Sequence, residues 1–477
     1  MRSLLFGGDG RESEGFGLQI SYDVTKTADG GFEMDADRLV DLTSRTLDAI
    51  CGQMRAAKVR AAAVAIDTFW HSVAGIDAQG KPATPILHLF DTRSADAARR
   101  LAQKIDDRAQ HARTGCVLHP SYYPAKLLWL SETRPDVFRR VSRWVSFGEY
   151  LFLRLFGDVV TSTSMVSGTG LWNQNENDYD AEILSVLPAR PEQFTPKAGM
   201  DEPRDRLREE FRTRWAELDG IPWFPALGDG ACNNVGSGCT TRERFALMAG
   251  TSGAMRAVLP EKRVTIPPGL WCYRVDPRRF VLGGALSDGG SVHAWARDRL
   301  QLPADPEMDS QIGKMRPGEH GLTVLPFFAG ERSTGWRADA RAAIIGLSAH
   351  TTTLEIARSL YEAVSLRFRA ILDLMVLSIG RPKEVIGSGG GLLHSGAWSG
   401  IMADALGQRV TACVEKEATS RGAALLALER ITAIRDAGDL PPRLGDSFEP
   451  SEEHRRTYEE MLSRQQRLYT KLFEEKW

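Results

Sequence analysis

The stretch from Asp37 to Asp67 constrains the fold most. Asp37 caps a helical pattern in which Leu39, Leu42, Thr46, Leu47, Ile50 and Met54 share one face. That pattern leads into Ala61 to Asp67, which reads as a buried strand. Before it, Ser3 to Phe6 and Leu18 to Val24 read as strands of a hairpin turned at Gly7-Gly8-Asp9-Gly10. Strand, crossover helix and strand specify an α/β sheet. Further helices are expected at 94–110, 124–131, 147–156, 205–217 and 289–300, with a polar loop near 190–206. From Gly321 the pattern restarts, with strands at Leu322 to Phe328 and Ala343 to Leu347. Thr352 to Glu355 forms a capping box for a helix reaching about Ile379. A strand at Glu384 to Ile386, the run Gly387-Ser388-Gly389-Gly390-Gly391 and helices at 398–406, 420–434 and 451–475 complete the chain.

A chain of 477 residues exceeds one hydrophobic core, and domains 1–240 and 241–477 are expected. With 42% hydrophobic and 26% charged residues and a formal charge of −2, the composition is that of a soluble globular protein. It offers no field to gather nucleic acid or anionic membrane, so partners must be recognised locally, with a homodimer left open. The six cysteines lack C-x-x-C spacing, which fits a reduced, cytoplasmic protein better than a disulfide framework or a metal–thiolate site. The apolar runs are strand-sized, too short to span a bilayer.

Ala249-Gly250-Thr251-Ser252-Gly253 lies between two strand-like stretches and reads as a glycine-bent hairpin. Its glycines allow positive φ and close approach of a ligand, and its amides and hydroxyls can cradle a phosphate. Gly228-Asp229-Gly230 places a lone carboxylate in a second tight turn, where it could act as a general base. Each motif alone is more often an ordinary turn.

Together these segments resemble the FGGY family of carbohydrate kinases, within the superfamily of sugar kinases, Hsp70 and actin. The resemblance rests on Ala342 to Leu347 followed by Glu355-Ile356 and Ser359-Leu360-Tyr361-Glu362, with Leu360 off the pattern. Gly330-Glu331-Arg332-Ser333, Lys126-Leu127-Leu128-Trp129-Leu130, Gly389-Gly390-Gly391 and Arg421-Gly422-Ala423-Ala424 are further matching blocks. Trp70-His71-Ser72, His119-Pro120 and Ser164 to Leu171 are most similar to gluconate kinases. The resemblance implies two ribonuclease-H-like α/β domains around a central cleft, ATP and Mg²⁺ as cofactors, and phosphorylation of a sugar or sugar acid. It implies Asp229 as the base that accepts the hydroxyl proton, Trp70, His71, Ser121 and Gly230 as sugar contacts, Gly250, Thr251, Ser252 and Gly253 as the phosphate loop, and Gly389, Gly390 and Gly391 beside the adenosine. No side chain is singled out as a metal ligand. Asp288 stands where paired asparagines are common and would disfavour an anionic sugar, so a neutral ketose or polyol stays open. Asp91 and Arg93 read as an ion pair at a sheet edge, Glu331-Arg332 as a structural or hinge pair, and Trp129, Trp295 and Trp336 as core residues or cleft lining.

Family members open on a strand ending in Asp-x-Gly-Thr-Ser or Thr, a second phosphate loop. Here Met1 to Phe6 resembles the next strand, so roughly ten residues of the pattern are not represented. The expectations are a misplaced start codon in a normal kinase or, alternatively, a sugar-binding pseudokinase or regulator.

Overall fold

The computed structural model describes residues 1–475. In the second half, seven strands form one sheet. Trp271–Asp276, Arg279–Leu286, Gly253–Leu259 and Arg244–Ala249 run as an antiparallel meander, and Glu384–Ser388 and Val410–Cys413 add in parallel to Arg244–Ala249 before Leu444–Phe448 closes the edge. The helix Thr353–Ile379 packs on this sheet through Phe368, Ile371 and Met375, all fully buried. Its start is set by the capping box, in which the Thr352 hydroxyl accepts from the Glu355 amide at 3.2 Å and the Glu355 carboxylate accepts from the Thr352 amide.

The first half is built from smaller sheets. Arg2–Phe6 pairs antiparallel with Glu12–Gln19, and Asp67–Thr68 pairs parallel with Leu227–Gly228. The helix Ala36–Ala57 covers them, buried through Leu39, Leu42, Leu47, Ile50 and Met54. Its N-cap is Asp35, which accepts from the Arg38 amide; Asp37 lies in the first turn and instead receives the Tyr150 hydroxyl. The apolar run from Ala61 to Ile66 is only half-buried, and regular pairing is confined to Asp67–Thr68 plus a bridge from Val64 to Trp223. Among the expected helices, Phe147–Phe156 and Ser291–Arg299 are present. The span 94–110 divides into Ala95–Leu101 and Asp107–Thr114, and 205–217 shrinks to Glu209–Arg212.

The two halves interlock. Helices Asp229–Gly236 and Ala418–Arg430 cross so closely that a Cβ on Gly236 would lie 1.7 Å from the Ala418 carbonyl oxygen and one on Gly422 1.8 Å from that of Cys232. Glycine is required at both positions to let the backbones touch. Buried Arg421 staples this crossing by donating to the carbonyls of Gly10, Gly236, Leu440 and Pro441. On the other side, the Cys272 amide donates to the Gly115 carbonyl and the Arg274 amide to the Ser167 hydroxyl. All six cysteines are buried free thiols. No helix among the described residues is long and apolar enough to cross a membrane.

Candidate active site

Three glycine turns meet at the tip of the hairpin formed by Arg244–Ala249 and Gly253–Leu259. The amides of Gly289 and Ser291 donate to the Thr251 carbonyl, and that of Gly290 donates to Gly250. Gly389, at φ +90°, lies so near the hairpin that a Cβ there would be 2.6 Å from the Ala249 carbonyl group. A Cβ on Gly391 would lie 2.9 Å from the Ala249 oxygen. With its carbonyls held from behind, the tip leaves the Thr251 and Ser252 amides and hydroxyls without protein partners among the described residues. An anion can therefore be met by several donors at once. Gly250 and Gly253 do not use the positive φ open to them. Gly253 is needed for space, since a Cβ would meet the Phe368 ring at 2.6 Å.

Asp229 opens the helix Asp229–Gly236 directly after the strand Leu227–Gly228 and binds the Gly230 amide at 2.7 Å. The carboxylate is open to solvent yet set deep among protein atoms. That desolvation pushes its pKa above the usual carboxylate range, against the pull of Arg256, the Gly230 and Trp70 amides and Arg332. Arg256, on the strand that leaves the phosphate hairpin, donates to the Gly230 carbonyl at 2.7 Å and so joins the two motifs. Asp67 opens the short strand beside Leu227–Gly228; burial first, and then the charge of Asp229, push it up to about 6.

Trp70 lies against Gly228 and Gly230. A Cβ on Gly228 would sit 1.8 Å from its ring, and one on Gly230 2.7 Å. Its Nε1 donates to the Ser164 carbonyl, and only 4% of the residue is exposed, so Trp70 forms a wall under Asp229. His71, at φ +66°, is buried with Nδ1 2.5 Å from the Gly168 carbonyl. Desolvation pushes its pKa down to about 3. A neutral ring donating through Nδ1 presents Nε2 as an acceptor. His71 is thus suited to accept from a hydroxyl. His119 is the opposite tautomer: Nδ1 accepts from the Ser121 amide at 3.2 Å, leaving Nε2–H as a donor, and burial holds its pKa near 3 as well. The Ser121 hydroxyl lies 3.0 Å from the same Nδ1. Lys126, fully buried, ties the two segments by donating to the His71 and Ser121 carbonyls.

The second half supplies the facing wall. Tyr273 packs on Trp70 and His71 with centroids 5.0 and 5.2 Å away, and its hydroxyl bonds Tyr122 at 2.6 Å. Trp336 reaches His119 at 5.5 Å and Tyr122 at 6.4 Å, with Arg332 over its ring at 5.8 Å. Trp129 instead stacks under Arg93, and Trp295 packs on Phe328. Arg93 pairs with Asp91 and Glu33, each within 2.7 Å. Of Glu331-Arg332, read as a structural or hinge pair, Glu331 binds Arg367 at 2.6 Å and the Tyr469 hydroxyl at 2.6 Å. Sequence reasoning missed Asp67, Arg256, Arg332 and Tyr273. Arg256 alone had a local signal, a charge inside an apolar strand. An open depression of about 1,000 Å³ between Asp35, Lys81, Arg154 and Arg208 contains none of these site residues.

The comparisons with known proteins agree with this geometry. Residues 17–236 match the N-terminal domain of the FGGY family of carbohydrate kinases and residues 245–429 its C-terminal domain. The chain is 25% identical over 412 residues to a gluconokinase of Bacillus subtilis (strain 168), covering 84% of this chain and 80% of that one. The fold superposes on a gluconate kinase of Lactobacillus acidophilus with a TM-score of 0.90 at 22% identity, covering 99% of this chain and 95% of the other. It superposes on a xylulose kinase of the same organism with a TM-score of 0.91 at 23% identity, covering 99% and 96%. The two-domain α/β architecture of the actin and Hsp70 type is thus established. Matched across both halves, the chain belongs to the FGGY family of carbohydrate kinases.

Proposed function

We propose that this kinase transfers the γ-phosphoryl group of ATP to a hydroxyl of a sugar acid of the gluconate kind. Domain 1–240 supplies the acceptor pocket and base, and domain 241–477 supplies the nucleotide site. The acceptor oxygen attacks the γ-phosphorus, the bond to the β-bridging oxygen breaks to release ADP, and Asp229 takes the hydroxyl proton. The Thr251 and Ser252 amides hold the phosphate oxygens, and Gly389 to Gly391 flank the nucleotide. His71 Nε2 accepts from one sugar hydroxyl, while His119 Nε2–H and the Ser121 hydroxyl offer donors to others. The observation carrying this reading is the Arg256 to Gly230 bond, which ties the strand leaving the phosphate hairpin to the residue beside Asp229.

Magnesium fits this site through the nucleotide. Among the described residues no three His, Cys, Asp or Glu side chains cluster as a metal cage. Such an ion is commonly held by phosphates and one or two carboxylates, and when bound it neutralises phosphate charge. Asp67 would be the protein carboxylate to hold it, and such a cation would relieve its repulsion by Asp229.

The test is sugar-dependent ADP release over gluconate, xylulose, ribulose, erythritol and glycerol. Asp229→Asn should lower turnover by about 10²–10⁴-fold while sugar binding persists. Sugar binding without turnover by the wild-type protein would overturn the kinase reading in favour of a regulator.

A further inference from the structure

Most buried arginines in this protein are paired, although the Nε atoms of Arg274 and Arg367 have no acceptor; among the described residues Arg256 and Arg332 stand apart in having no ion pair and at most one side-chain hydrogen bond. Arg93 faces Asp91 and Glu33, Arg279 faces Asp276 and Glu429, Arg358 faces Glu362, and Arg367 faces Glu331. Arg274 and Arg421 donate to backbone carbonyls through two or more nitrogens. Arg256 is only 4% exposed, yet among the described residues its one side-chain hydrogen bond runs from Nη1 to the Gly230 carbonyl, and no carboxylate lies within ion-pair distance. Arg332, half-buried, makes no side-chain hydrogen bond and no ion pair among the described residues, and its Nε is buried without an acceptor. Leaving a cation desolvated and unpaired is costly, so a site that keeps two of them is complementary to an anion.

The anion must come from the acceptor side. Arg332 stands over Trp336, whose ring touches His119 and Tyr122, and its charge reaches His71, His119, Tyr122, Tyr273, Asp229 and Arg256. Of these, His71, Tyr122 and Tyr273 pack on one another beside Trp70. The two histidines there are neutral and cannot serve as the countercharge. Asp288, the one residue that argued against an anionic sugar, is occupied: its oxygens accept from the Ser291 hydroxyl at 2.9 Å and the Ala329 amide at 2.8 Å.

We propose that Arg332, seconded by Arg256, is the receptor for the carboxylate of an aldonate, and that it makes this enzyme select sugar acids over neutral polyols and ketoses. The proposal rests on the kinase reading for its substrate but concerns a separate pair of residues. The experiment compares gluconate with sorbitol, which carries a primary alcohol in place of the carboxylate. The wild type should favour gluconate in kcat/KM, and Arg332→Gln should lower the gluconate-to-sorbitol ratio by about 100-fold, chiefly through KM. Arg332→Lys should restore part of that ratio, and the KM for ATP should stay unchanged. A loss shared equally by both sugars, a wild-type preference for sorbitol, or an effect confined to ATP would overturn it; the last would assign the cations to the γ-phosphate. Calorimetric titration with gluconate in the absence of nucleotide separates the two readings. If the wild type turns over neither sugar, gluconate binding that Arg332→Gln abolishes still supports the receptor, and no gluconate binding refutes it.

Discussion

Replacing Gly228 by alanine tests whether Trp70 sets the position of the base. The added Cβ would lie 1.8 Å from Trp70 Cε2, 2.1 Å from Nε1 and 2.3 Å from Cζ2. Carbon atoms pack at about 3.5–4.0 Å, so the ring or the backbone beside Asp229 must move by roughly 1.5 Å or more. The ring has little room to retreat. Its Nε1 is held by the Ser164 carbonyl at 2.9 Å, Tyr273 lies against it, and Gly168 is so close that a Cβ there would meet Cδ1 at 2.9 Å. Overpacking of this kind costs about 1–3 kcal/mol, and a 1 Å displacement of a catalytic group costs about 100-fold in rate. We therefore expect Gly228→Ala to lower kcat for sugar-dependent ADP release by about 100-fold and to lower the melting temperature by several degrees. Trp70→Leu should destabilise on its own, and in the double variant it should return part of the lost activity, a coupling of about 1–3 kcal/mol in a double-mutant cycle. Wild-type kcat and unchanged melting in Gly228→Ala would refute the reasoning.

Three further outcomes follow from the same geometry. Because Asp229 must be ionised to accept a proton and desolvation raises its pKa, kcat/KM should fall as pH falls through a value above 3.8. Burial pushes His71 and His119 down to about 3, so neither contributes a limb near 6.5; such a limb, lost in His71→Asn, would contradict the assignment. Lys126, lowered by burial to about 7 from 10.5, is neutral in the folded protein but protonated when unfolded between those values, so wild-type stability should rise relative to Lys126→Met from pH 7 toward 10 in denaturant titrations. Lys126→Met also strips two buried carbonyls of their donor, which costs about 1–3 kcal/mol each. Gly389→Ala forces a side chain onto φ +90° and into the Ala249 backbone, so ATP affinity should drop while nucleotide-free sugar binding is retained, as read by calorimetry.

Local chemistry explains what the sequence disclosed. The helices Phe147–Phe156 and Thr353–Ile379 start at capping boxes, Ser146 with Glu149 and Thr352 with Glu355, whose donors and acceptors lie within one turn of chain. The phosphate hairpin was legible because two apolar strands bracket it. Where distant partners decide, the reading failed. Leu207, Phe211 and Trp215 are spaced like a helical stripe, yet the Leu207 amide is taken by the Asp219 carboxylate and the helix keeps four residues. Glu331 and Arg332 are neighbours in sequence, but Arg367 and Tyr469 claim the glutamate from elsewhere in the fold, and only that sets Arg332 free. A histidine's tautomer is equally nonlocal, since Gly168 fixes that of His71.

One strand, Gly253–Leu259, begins at the phosphate hairpin and carries Arg256 to the base three residues later. On the proposed assignment, acceptor contact and phosphate placement share a single strand, and variation in one disturbs the other. Arg332, on a separate loop, is the freer dial. Laboratory evolution toward new acceptors should accumulate changes around 332–336 early and reach position 256 only with compensating changes in the hairpin.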